Sequence, residues 1–349
     1  MALELIHSSS DSLRVADQGN DFRSFSYALQ GHAGEVLSVD FSSTGTYQSV
    51  VNLCANLGDF VASAGLDRTI LLWSVTEGLS NFATLRGHTN AILQVKWVPS
   101  DSTKLFTCGA DKCVSWWDSV EGARIKKLKG HASIVNCCGV NKFGSPVGVS
   151  GSDDGTVKLW DMRERNCVGT FEHSYQILSV DCSENGDRIF AGTIDDSVLM
   201  LDSRKLESPL EILGGIIEDS VTGVSVSNDG DYLLSVSMNG SANLWDIRPF
   251  CEQASRDMYT YTRITNNFEM NLIRIRWSPD DLLFSVGSSD HALNVHKVRP
   301  DISDMDSQLL MIPNLHDGCV NEVVFHPKER YTVATASSDK TLMYGPLVL

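Results

Sequence analysis

The residues of this chain best placed to do chemistry lie in VSGSDDGTVKLWDMRER, residues 149 to 165, where Asp153 and Asp154 are adjacent and Gly151 and Gly155 flank them. Paired carboxylates ahead of a glycine could hold a divalent cation, and a glycine-rich turn could cradle a phosphate. Laying the calcium pattern D-x-[DN]-x-[DN]-G on the stretch with its glycine at Gly155 puts Ser150 and Ser152 where carboxylates or amides must stand. Only Asp154 fits, and Asp161 takes the twelfth position in place of Glu. The phosphate pattern GxxxxGK[ST] is absent, and two carboxylates would repel an anion. The stretch therefore reads as a turn, with no metal, cofactor or small-molecule substrate expected.

Other chemistry is equally thin. HExxH, GxSxG and CxxC do not occur. Nine cysteines (54, 108, 113, 137, 138, 167, 182, 251 and 319) make an odd, scattered set that reads as buried, reduced thiols. The adjacent pair Cys137-Cys138 reads as packing in a strand. Asn239-Gly240-Ser241 matches a glycosylation sequon but fills a structural turn. Five of the nine histidines (32, 88, 131, 173 and 316) belong to a repeat described below, leaving few for catalysis, and no enzymatic activity is expected.

Composition narrows the partners. The 349 residues are 42% hydrophobic and 21% charged, enough for a large core, and the formal net charge is -16. The N-terminal MALELIHSSSDSLRVADQGND lacks the basic start and long apolar stretch of a signal peptide, so an intracellular address is expected. Nucleic-acid surfaces depend on clustered Lys and Arg. The one such cluster, RIKKLK from Arg124 to Lys129, interleaves Ile125 and Leu128 and reads as the solvated face of a strand. Little or no RNA contact and no membrane contact are expected; the acidic balance favours protein partners with basic faces.

The elements that position these residues come from a repeat. QGHAGEVLSVDF, RGHTNAILQVKW, KGHASIVNCCGV and LHDGCVNEVVF each set a histidine four residues before an alternating apolar run. SAGLDRTILLW, CGADKCVSWW, SGSDDGTVKLW, AGTIDDSVLML, SVSMNGSANLW and GSSDHALNVH each put Asp or Asn six residues before a closing position. Those closing positions fall at 73, 117, 160, 201, 245, 296 and 345, giving seven units. A spacing near 40 to 45 residues with GH and WD landmarks is the signature of four-stranded propeller blades. The expected fold is all-β: a seven-bladed WD-repeat propeller over residues 23–349, behind a short N-terminal tail at 1–22.

In this geometry GH opens the innermost strand, Asp sits in the turn between the second and third strands, and Trp closes the third. Histidine, aspartate, a nearby hydroxyl and Trp then form a hydrogen-bonded chain whose role is architectural. Its candidate members are His32, Asp67 and Trp73; His88, Asp111 and Trp117; His131, Asp154 and Trp160; His173 and Asp195; Asn239 and Trp245; Asp290; and His316 with Asp339. Leu201, His296 and Gly345 replace Trp in three units. SFSYALQ, residues 24 to 30, has no third strand before it and should supply the outer strand of blade 7. Some 12 extra residues around 46 to 58 read as a lengthened, covered hairpin, and RPFCEQASRDMYTYTRITNNFEMNL as a long connection before blade 6.

Two surface features suggest partners. The residue before each landmark Asp or Asn is expected to face outward, giving a rim of Leu66, Ala110, Asp153, Ile194, Met238 and Ser289. WDMR (160–163) and WDIR (245–248) resemble the box by which WD-repeat substrate receptors dock on the cullin-RING ubiquitin ligase adaptor, with Arg163 and Arg248 as docking residues.

GSDDGTVKLWDMR, DSVTGVSVSNDGDYLLS, WDIRPF, NFEMNLIRIRWSPD and GCVNEVVFHP closely resemble the WD-repeat subunit family of the U5 small nuclear ribonucleoprotein. The likeness runs from about residue 27 to the C-terminus, and WDIRPF followed by NFEMNLIRIRWSPD is its most specific part. The resemblance implies a nuclear, non-catalytic splicing protein that binds the large central scaffold protein of the spliceosome and travels with other U5 proteins.

Overall fold

The computed structural model describes residues 13–14, 27–42, 60–75, 79–250, 255–262, 264–265, 267–298 and 308–347. Among the described residues every regular element is a strand, because the units alternate β-branched and aromatic residues with polar ones and are broken by Gly, Asp, Asn and Ser turns. The strands assemble into seven antiparallel sheets.

Blade 1 comprises Val36–Phe41, Phe60–Gly65, Thr69–Ser74 and Ser80–Arg86. Blade 2 comprises Ile92–Val98, Asp101–Gly109, Cys113–Asp118 and Ala123–Lys129, and blade 3 Val135–Val140, Val147–Ser152, Thr156–Asp161 and Gly169–Glu172. Blade 4 runs through Ile177–Cys182, Arg188–Thr193, Val198–Asp202 and Glu211–Leu213. Blade 5 has Val221–Val226, Tyr232–Ser237, Ala242–Asp246 and Asp257–Tyr261; blade 6 has Ile275–Trp277, Leu283–Val286, Leu293–Lys297 and Gln308–Ile312. The stretch read as a connection before blade 6 thus contains the outer strand of blade 5.

Blade 7 closes the ring. Val320–Phe325, Thr332–Ser337 and Thr341–Pro346 are completed by Tyr27–Gln30, whose Tyr27 faces Tyr344 and whose Gln30 faces Thr341 in register. Leu13–Arg14, within the segment expected as a tail, pairs outside Tyr27–Gln30 and makes this sheet five-stranded. The extra residues expected at 46–58 lie outside the described residues.

Neighbouring blades stack face to face, and each of the seven junctions holds its own apolar cluster. Between blades 1 and 2, for example, Ile70, Leu72 and Leu85 pack on Val95, Trp97 and Trp117. Between blades 7 and 1, Val39, Phe41 and Trp73 pack on Ala334, Leu342 and Tyr344, with Leu29 of the N-terminal strand joining them. The core is therefore a ring of inter-sheet layers, and the first strands of all seven blades line a central channel.

Candidate functional site

The landmark residues converge as their spacing predicts in blades 1, 2 and 3. In blade 3, His131 Nδ1 lies 3.0 Å from Asp154 Oδ2, His131 Nε2 lies 2.7 Å from Ser150 Oγ, and Trp160 Nε1 donates to the same oxygen at 2.7 Å. Blade 1 repeats this with His32, Asp67, Ser63 and Trp73 at 2.8 Å throughout, and blade 2 with His88, Asp111, Thr107 and Trp117 at 2.8–3.0 Å. The acceptor-only carboxylate fixes the ring proton on Nδ1, so protons point along one chain from Trp through hydroxyl and His to Asp. Burial lowers the pKa of His131, which keeps the ring neutral, while hydrogen bonding by Thr156 and Ala132 helps hold Asp154 down to about 2 despite its own partial burial.

Ser150, His131 and Asp154 have the connectivity of a nucleophile, base and orienting acid. The hydroxyl is fully buried and already accepts the indole N–H, so no substrate can reach it. The same arrangement in three blades marks a framework role.

The other blades depart from it for local reasons. In blade 7, His316 meets Asp339 at 2.8 Å and Thr335 at 2.6 Å, but with Gly345 in place of Trp the Thr335 oxygen accepts from Met343 N–H instead. In blade 4 the hydroxyl position is Ala191, so the expected link between His173 and Asp195 does not form. Their nearest atoms are 3.6 Å apart, His173 Nε2 is left without a hydrogen bond, and Asp195 accepts from Thr193 and Ser197. In blade 5, Trp245 donates to Ser235 Oγ at 2.9 Å while Asn239 turns back onto Ser241. In blade 6, Val286 fills the hydroxyl position and Asp290 caps Ala292 N–H at 3.2 Å.

The outward rim is only partly as expected. Leu66 and Ile194 are exposed, Ala110 and Met238 are half-buried, and Asp153 accepts a hydrogen bond from Asn136 Nδ2 at 2.7 Å. Ser289 is fully buried, a correction to its expected outward position: its hydroxyl turns inward onto Asn267 and Cys319. Arg163 and Arg248 both fold their guanidinium forks onto the aspartate of their own motif, Asp161 and Asp246, each with an Nε–Oδ1 distance of 3.0 Å. The basic cluster is occupied within the fold: Arg124 donates to Gly87 O, Lys126 to Met162 O, and Lys127 to Asp111. Cys137 and Cys138 are buried, and desolvation pushes the Cys137 thiol up, away from a reactive thiolate.

The channel wall is a constellation that the landmarks do not reveal. The innermost strand of each blade is a sheet edge with unpaired N–H groups, which need acceptors. They find them on the preceding blade: Val39 N–H donates to Glu322, Val95 N–H to Ser38 Oγ, Cys138 N–H to Gln94 Oε1, Trp97 N–H to Asp40 and Val226 N–H to Asp181. Six of the seven first strands also carry a bulge at their second residue. Arg274 of blade 6 reaches across to donate to three of those bulge carbonyls, Leu37 O and Leu93 O at 2.9 Å and Asn136 O at 3.3 Å. The cavity left beside it is about 10 Å³, too small for a ligand. Fully buried Glu322 binds Arg276 and Ser38, with Lys96 at 3.6 Å. A signal was available: these residues stand six or eight places after the landmark histidine, where Ser38, Gln94, Glu322, Asp40 and Lys96 interrupt an otherwise apolar strand.

Comparison with known proteins agrees with this architecture. The WD domain, G-beta repeat, family matches residues 23–74, 80–118, 122–161, 165–202, 208–246 and 307–344. The chain is similar to the U5 small nuclear ribonucleoprotein 40 kDa protein of Dictyostelium discoideum, 37% identical over 91% of this chain and 83% of that one. It is similar to the human protein of the same name at 39% over 91% and 83%. The pre-mRNA-splicing factor cwf17 of Schizosaccharomyces pombe is 32% identical over 95% of this chain and 91% of its own.

Proposed function

Since this chain belongs to the WD-repeat family of U5 small nuclear ribonucleoprotein 40 kDa and cwf17 splicing proteins, we propose that it is a non-enzymatic subunit of the splicing machinery, working in the nucleus as a protein-binding platform. Its partners in this reading are the large central scaffold protein of the spliceosome and other U5 proteins. The observation that carries the proposal is similarity to splicing proteins at 32–39% identity over at least 91% of this chain. The geometry supports a platform: in blades 1, 2 and 3 the histidine, hydroxyl and carboxylate groups are bonded to one another in the framework, and Arg274 spans the channel onto three other blades. On the rim, exposed Leu66 and Ile194 supply apolar contacts on an acidic chain.

Affinity purification of the tagged full chain tests this. Spliceosomal proteins and U5 RNA should co-purify, and Leu66→Glu should weaken recovery of the scaffold protein by about ten-fold, equivalent to roughly 1.4 kcal/mol. Recovery of a cullin-RING adaptor in their place, abolished by Arg163→Ala with Arg248→Ala, would establish the second reading. It is favoured by one observation: the two motif arginines are solvent-facing and held in the same pose on separate blades.

A further inference from the structure

The segment Asn267–Asn271, NFEMN, leads into blade 6 on the face that carries the GH loops. Its backbone is locked. Asn271 N–H donates to Asn267 Oδ1 at 2.9 Å, Asn267 Nδ2 returns a bond to Asn271 O at 2.8 Å, and Met270 N–H donates to Asn267 O at 3.2 Å. Met270 is held at φ 55°, a left-handed conformation unfavourable for a side chain of its kind. The clamp holds two large apolar groups out in water: Phe268 is 70% and Met270 74% exposed. A rigid, strained loop that displays apolar side chains gains nothing for folding, and fits a contact organised in advance of binding.

The surroundings extend the surface over three consecutive blades. Tyr175 and Ile194 of blade 4 are 51% and 40% exposed. Ser220 Oγ donates to Ile194 O, Met238 N–H to Ser220 O, and Ile264 N–H to Gly240 O, so the loops of blades 4, 5 and 6 are bonded one to the next. Glu172, Asp196, Glu218 and Glu269 are exposed among these apolar groups. Apart from Arg274, whose guanidinium is bound in the channel, the described residues of these loops include no Lys or Arg, whereas the corresponding turns of blades 1, 2 and 7 present Arg68, Lys112 and Lys340.

We infer that this sector docks an extended, lysine- and arginine-rich segment of a partner protein, anchored by an apolar side chain against Phe268 and Met270. Charge complementarity selects the occupant: the carboxylates attract a basic chain and repel phosphate backbones. The inference rests on the splicing-platform reading for the partner's identity, and on the loop alone for its chemistry.

The test uses the tagged full chain as wild type, as Phe268→Ser with Met270→Ser, and as Asp196→Lys with Glu218→Lys. Unfolding midpoints are recorded for each, and a photo-crosslinking phenylalanine at position 268 of otherwise wild-type chain is activated in the purified complex so that the adduct peptide can be sequenced. Both double variants should melt within about 2 °C of wild type, because the altered side chains are exposed. Recovery of one splicing protein should fall at least ten-fold in each, and the adduct peptide should carry an excess of Lys and Arg. Unchanged recovery in both variants, an adduct with RNA, or one with an acidic peptide overturns the inference while leaving the splicing assignment intact. If wild type recovers no splicing protein, that assignment falls, and the adduct decides this inference alone: a basic peptide supports it, and an acidic one or none overturns it.

Discussion

Asp154 accepts from His131, from the N–H groups of Ala132 and Thr156, and from the Thr156 hydroxyl, all within 2.6–3.0 Å. Removing it leaves those donors unpaired, and Asp154→Ala should cost about 1–3 kcal/mol in urea unfolding. Asp153 holds one bond, to Asn136 Nδ2, which also donates to Ile177 O, so Asp153→Ala should cost well under half as much. Equal losses would refute this division between neighbours. Asp181 behaves in the opposite sense to Asp154. Burial pushes its carboxyl up to about 6, so the folded state holds a proton that the unfolded state, with its ordinary value of 3.8, gives up. Stability from this group is therefore complete below pH 4 and is lost as pH rises through about 6. Asp181→Asn removes the buried charge but can accept from only one of the Cys182 and Val226 N–H groups, which the carboxylate takes on Oδ1 and Oδ2 respectively. Relative to wild type, the variant should gain on the order of 1 kcal/mol between pH 4 and pH 7.5, measured by thermal melts at both.

At the scale of the element, the turn between the second and third strands puts the residue after the landmark Asp or Asn at positive φ in all seven blades: Arg68, Lys112, Gly155, Asp196, Gly240, His291 and Lys340. Only two are glycine. Lys340→Gly should relieve the strain and raise stability by up to about 1 kcal/mol, whereas Gly155→Ala should lower it, since a Cβ there would lie 2.5 Å from His173 O. Denaturant midpoints moving in opposite directions would confirm both. The sequence shows these turns through their Asp and Gly, yet the exposed lysines and arginines give no hint of a left-handed backbone. That conformation is imposed by the register of the flanking strands, Ala336 opposite Leu342 and Gly151 opposite Val157.

At the scale of the whole molecule, Glu322 links four blades: it lies on blade 7, accepts from Ser38 and Val39 of blade 1, binds Arg276 of blade 6 and approaches Lys96 of blade 2. Glu322→Ala leaves Arg276, Lys96 and Arg274 without their shared buried carboxylate and frees the Val39 N–H, and should destabilise the ring by about 3–5 kcal/mol in equilibrium unfolding. A loss below about 1 kcal/mol would mean that water replaces the carboxylate without penalty. The N-terminal strand closes the ring from outside, as Glu322 does from within. Removing residues 1–30 should expose the edge of Thr341–Pro346 and lower the unfolding midpoint more than any substitution above, with increased aggregation on heating.

Seven units, the strand that closes them and the partners of the histidine chain were legible in the sequence because each follows from spacing along one blade. A fixed interval between His and Asp brings them together whenever the intervening strands pair in regular register. The family was legible from WDIRPF and NFEMN for the same reason: these are contiguous motifs. Only the tertiary structure decided what happens between blades. Arg274 meets Leu37, Leu93 and Asn136 from 138 to 237 residues away, and Glu322 meets Ser38 from 284 residues away, distances along the chain at which no local pattern survives. It also decided which landmark residues keep their partners. Ala191 and Val286 withhold the hydroxyl in blades 4 and 6, and Ser289 turns inward, because a side chain takes the direction that satisfies its own donors and acceptors among neighbours supplied by other strands.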